Sequence, residues 1–174
     1  MKSTITLPFF KWHKGKKEDI AIALPISTNS KSPTRGFKNI ILAGHSSGGW
    51  QSIKIKAEFP KLVKGVIGLN PGAGGTVKNR KDWPWWEDVR YYGFVKDLSQ
   101  INAIIIAHDK DHFNSPNDYS LFKGINSVKF VNLTNSGCKK AEPTNNYHGI
   151  TLTKCYAEYE KKNKDLIKYL EEIF

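Results

Sequence analysis

The sequence predicts an α/β fold, a mostly parallel sheet with helices on both faces, from three observations. Apolar runs recur at residues 39–43, 63–69 and 101–107, each of strand length and apolar without alternation, as in strands buried on both faces. Stretches with helical spacing stand between and after them. Gly, Pro and Asn punctuate the junctions, so short elements are joined by turns.

In chain order, residues 1–36 read as an N-terminal segment of partial helix and loop, polar and interrupted by Pro8, Gly15, Pro25 and Pro33. Its one apolar run, Ile20 to Leu24, reads as a helix ending before Pro25, because proline disfavours helical backbone in the residue before it. Residues 37–174 read as the α/β domain. Asn39 to Ala43 is a first buried strand ending in glycine, and Ser47 to Phe59 is a helix stopped by Pro60. Val63 to Leu69 is a second strand, running into Asn70-Pro71-Gly72-Ala73-Gly74-Gly75. That loop reads as a backbone rim around a site or as a flexible turn; with no Gly-Lys-Ser/Thr after it, it is not a phosphate loop. Ile101 to Ala107 is the third and most apolar strand, Asn117 to Gly124 a short helix, and Ser127 to Leu133 a fourth strand. Leu152 to Phe174 has helical spacing through Tyr156, Tyr159, Leu166, Ile167 and Leu170.

Apolar residues are 39% of the 174 positions and aromatics 12%, enough to bury a core, which excludes disorder for the chain as a whole. The net charge of +11 arises from 27 basic and 16 acidic residues, and Arg35, Arg80 and Arg90 are the only arginines. The lysines are scattered, and base readout favours Arg, so the charge reads as a solvated surface and no nucleic-acid partner is expected. Neither a membrane-length apolar run nor a secretory leader is visible. No membrane partner is therefore expected, and the expected location is the cytoplasm, with the periplasm or secretion as the alternative if a signal-bearing N-terminus is missing. Cys138 and Cys155 close one bridge in an oxidising compartment and stay free in a reducing one, and the missing leader favours free thiols.

Gly44-His45-Ser46-Ser47-Gly48-Gly49 lies between the first domain strand and its helix. The Gly-x-Ser-x-Gly spacing is that of a nucleophile elbow, where glycines two residues either side of Ser46 permit a sharp strand-to-helix turn. The Ser47 N–H at the helix start then points where an oxyanion would form. The other reading is a Gly-rich turn or phosphate nest. A serine hydroxyl needs a base and the base an orienting acid. Asp111 follows the third strand and His148 the fourth, so both lie at carboxyl ends of strands, where α/β sheets place their ligand crevice.

On these residues the chain resembles the α/β-hydrolase family, and within it the dienelactone-hydrolase-like group. The likeness rests on the elbow, an acid loop after an apolar strand, His148-Gly149 before a terminal helix, and the order Ser, Asp, His. It covers about residues 37–174. It implies Ser46 as nucleophile, Asp111 as acid and His148 as base, a small-molecule ester, lactone or related carbonyl substrate, and no metal or other cofactor. Family acid loops place a short polar tripeptide before the aspartate and a proline some positions after it, which favours Asp111, with Pro116 downstream, over Asp109. His108 and His112 read as loop residues, His45 as packing beside the turn, and His13 has no identifiable partner.

The family also has several strands before the elbow and takes a second oxyanion donor from a loop after one of them, often marked His-Gly. Here 45 residues precede Ser46, and the nearest candidate, Trp12-His13-Lys14-Gly15, follows no evident strand. The resemblance thus implies a chain lacking the early strands, either a fragment or a small version with a replacement donor. On that reading the elbow strand has an open edge through which copies associate into a homo-oligomer. The alternative to an enzyme is a catalytically inactive hydrolase-like domain that binds a ligand. Trp83-Pro84-Trp85-Trp86, with Tyr91, Tyr92 and Phe94, reads as an aromatic wall over the site or as packing onto the sheet.

Overall fold

The computed structural model describes residues 21–25, 40–72, 101–114, 119–120, 122, 124–139 and 147–174. Strands β1 (Ala21–Pro25), β2 (Ile40–His45), β3 (Gly65–Leu69), β4 (Ala103–Ala107) and β5 (Val128–Asn132) form one sheet in the order β1-β2-β3-β4-β5. β2 to β5 run parallel, and β1 is antiparallel to β2. Helix α1 (Ser47–Glu58) joins β2 to β3, and α2 (Lys154–Asn163) and α3 (Asp165–Ile173) follow β5.

Side chains alternate along β2 to β5, so the apolar runs feed two cores. Ala43, Ile67 and Ile104 are register partners on one face, where they pack with Ile106, Val131, Tyr156, Tyr169 and Leu170 beneath α2 and α3. Val66, Ala103, Ile105 and Ala107 face the other way, onto Trp50 and Ile53 of α1 and onto Tyr119 and Phe122. An unreversed strand order puts successive crossovers on one face, which is why α1 and Tyr119 share a side. The α/β class follows from this doubly covered, mostly parallel sheet.

Several expectations change. Residues 21–25 are a strand, not a helix; so short an apolar run fits either period, and pairing from Ala21 opposite Gly44 to Pro25 opposite Ile40 satisfies its backbone along β2. Pro25 is accommodated because β1 lies at the edge of the sheet among the described residues. The same pairing covers the edge of β2 that was expected to be open. The C-terminal helix is two helices, because Lys164 turns left-handed (φ 57°, ψ 36°) between them. Glu160 spans the break by accepting the Leu166 N–H at 2.8 Å. Cys138 and Cys155 are bonded rather than free, with their Cα atoms 5.7 Å apart. Most of residues 1–36, the aromatic segment 83–94, residues 73–75 and part of the 117–124 helix lie outside the described residues.

Candidate active site

The turn between β2 and α1 is held by close backbone contact. A Cβ on Gly44 would overlap the Gly48 backbone, and one on Gly49 would stand 2.6 Å from the Gly44 carbonyl oxygen. Two glycines are therefore needed for the strand and helix to cross at this distance. Ser46 sits at the apex with φ 55° and ψ −128°, a region that costs an L-residue roughly 1–3 kcal/mol. Its N–H donates to Leu69 O at 3.0 Å, and its carbonyl accepts from Trp50 N and Gly72 N, each at 3.0 Å. A serine at a helix N-cap ordinarily caps the helix with its side chain; Ser46 does not, and its hydroxyl is turned elsewhere.

That hydroxyl meets His148. Ser46 Oγ lies 2.8 Å from His148 Nε2, and His148 Nδ1 lies 2.7 Å from Asp111 Oδ2. An ionised carboxylate only accepts, so Nδ1 carries the proton, and in the neutral ring Nε2 is the acceptor for the serine hydroxyl. Asp111 is 4% exposed. Burial, the largest influence, pushes its carboxyl up, yet the His148 hydrogen bond and charge, the Phe113 N–H and the Asn70 amide together hold it below its ordinary value. Asp111 is thus held in its charged form and hydrogen-bonded to the imidazole that meets Ser46.

The other candidates fall elsewhere. Asp109 accepts from Asn132 Nδ2 at 2.8 Å in an exposed contact, and its N–H donates to Thr134 Oγ1. His108 is buried, stacks on Tyr147 with ring centroids 4.0 Å apart, and accepts the Lys110 N–H at Nδ1. Burial is the main reason its imidazole is pushed below its usual value. His112 is exposed and packs on Phe113. His45 packs beside the turn, as expected, and also donates from Nε2 to the His148 carbonyl at 2.8 Å, which fixes the backbone of the histidine loop. Phe113 closes another side of the His148 ring at 4.5 Å. Ser47 opens α1, so its N–H belongs to the first turn, which has no intrahelical acceptor. His13 and the Trp12–Gly15 segment lie outside the described residues.

Sequence reasoning missed Asn70 and Asn114, whose amides approach Asp111 Oδ2 at 3.1 and 3.4 Å. The one available signal was position, since Asn70 directly follows a strand end. Among the described residues no group of His, Cys, Asp and Glu is arranged to hold a metal ion, and no helix is long and apolar enough to cross a membrane.

No sequence-family model matches the chain, and no curated protein matches it. Among solved structures it is similar to a crystal structure described as a predicted CIB-like hydrolase from Thermoplasma acidophilum, at 17% identity and a TM-score of 0.45. The match covers 75% of this chain and 51% of that one, so the chain spans about half the length of that protein.

Proposed function

We propose that the chain is an α/β-hydrolase-like serine hydrolase, of the dienelactone-hydrolase kind, acting on an ester, lactone or related carbonyl substrate. The observation that carries the reading is the unbroken hydrogen-bond chain from Ser46 through His148 to Asp111 at the carboxyl ends of the sheet. Ser46 Oγ attacks the carbonyl carbon as its proton passes to His148 Nε2. Asp111 stabilises the imidazolium and keeps Nδ1 protonated. The Ser47 N–H, at the start of α1, stabilises the oxyanion. Collapse of the tetrahedral intermediate returns the proton from Nε2 to the leaving oxygen. Water, deprotonated by the same nitrogen, then adds to the acyl carbon, and the second intermediate collapses to the free acid as its bond to Ser46 Oγ breaks and Nε2 returns the proton to that oxygen.

The disulfide supports an oxidising location, the periplasm or outside of the cell, over the cytoplasm. Turnover of p-nitrophenyl acetate and butyrate checks the activity. The expected result is saturable hydrolysis that Ser46→Ala reduces to the buffer rate. Equal rates in the two proteins would leave the ligand-binding domain as the reading.

A further inference from the structure

We propose that Asn70 is a positioning residue of this site, its side-chain amide fixing the Asp111 carboxylate in the orientation that faces His148. The kinetic consequence rests on the serine-hydrolase reading, while the positioning itself does not.

Asn70 directly follows β3, the strand between the one that leads to Ser46 and the one that leads to Asp111. It is fully buried, and its backbone is left-handed with φ 43°. Its N–H donates to Ile106 O at 2.7 Å, which anchors it to β4. From that anchor Nδ2 donates to Asp111 Oδ2 at 3.1 Å, the same oxygen that accepts from His148 Nδ1 at 2.7 Å. Asn114 Nδ2 approaches that oxygen at 3.4 Å and the Asn70 carbonyl at 3.5 Å. The Phe113 N–H holds the other carboxylate oxygen at 2.8 Å. Donors from separate segments therefore converge on one carboxyl group, and rotating it away from His148 would break several charge-assisted bonds together.

A simpler role for Asn70 is tolerance of the left-handed turn. Glycine would serve that role without burying an amide. The amide is bonded on the side that faces Asp111, while Oδ1 has no partner among the described residues, so its orientation serves the carboxylate rather than its own satisfaction.

Asn70→Gly separates the two roles, because it keeps the backbone freedom and removes the amide. Two readouts apply: the low-field proton resonance of His148 Nδ1–H, and kcat and KM for p-nitrophenyl acetate. Positioning predicts a displaced or broadened resonance and a kcat lowered roughly ten- to a hundred-fold, the weight of a hydrogen bond to a charged group, with KM within about twofold. Asn70→Asp, equal in shape and tolerant of the turn, replaces the donor by an acceptor and gives the same losses should the glycine variant not fold. An unmoved resonance and wild-type kcat in a folded variant would make Asn70 a turn residue only, and with wild-type turnover intact would leave the hydrolase reading standing. A resonance that moves in a protein without esterase turnover would instead uphold the positioning and remove the hydrolase reading.

Discussion

The middles of β3 and β4 and their carboxyl ends are equally buried and follow opposite rules. Ile104, Ile105 and Ile106 are fully buried among apolar side chains on the two faces. A few residues further on, Asn70, His108, Asp111 and Asn114 are 4% exposed or less, and each is polar. The two positive-φ residues of the β2 and β3 ends, Ser46 and Asn70, lie here as well. The interior is specified by volume and alternation, which many apolar side chains satisfy. The ends are specified by hydrogen-bond geometry, and strain and polar burial gather there, as they do at functional sites.

Ser46→Gly gives the largest contrast. It brings ester hydrolysis to background while relieving the left-handed backbone, so thermal unfolding should occur at a higher temperature than in the wild type, a gain of about 1 kcal/mol. A lower melting temperature would mean that Ser46 carries no strain. Ile105→Ala reverses the pattern. It should cost about 2–5 kcal/mol in denaturant unfolding and leave the ester rate per folded molecule unchanged; a fall in that rate would couple the interior to the site.

Replacing both Cys138 and Cys155 by Ser tests the stretch that carries His148, which the disulfide closes into a loop. The expected loss is about 3 kcal/mol for a loop of this length, read by urea unfolding, and an unchanged midpoint would show that the bond adds nothing to stability. The smallest effect is on pH dependence. Asp111 is held below its ordinary value in the folded protein, so its contribution to stability is present above about pH 4 and lost as the pH falls from there through the folded value. Asp111→Asn should flatten that part of the stability curve; identical acid limbs would mean that Asp111 titrates alike in the folded and unfolded chains.

The same contrast governs what the sequence discloses. Continuous apolar runs mark β3 and β4, which are buried throughout, and most of β2. Ser46, Asp111 and His148 are legible as candidates because their chemistry is unusual and each follows a strand end. Asn70 is not, because asparagine after a strand is an ordinary turn residue, and its separation of 41 positions from Asp111 is bridged by the register of β3 on β4. The segment Ala21–Pro25 is ambiguous for a related reason, as its strand identity comes from β2 and not from its own composition. Lys164 gives no warning of a helix break, since neither Gly nor Pro stands there. The spacing of Cys138 and Cys155 carries no information on the distance between their backbones.

The central claim is that Ser46 is a nucleophile activated by His148 and Asp111. Incubation of the folded protein with a fluorophosphonate probe, followed by mass spectrometry of its peptides, tests it most directly. The account predicts a single adduct on Ser46, absent in Ser46→Ala and formed far more slowly in His148→Ala. No adduct on Ser46, under conditions that label a control esterase fully, would contradict it.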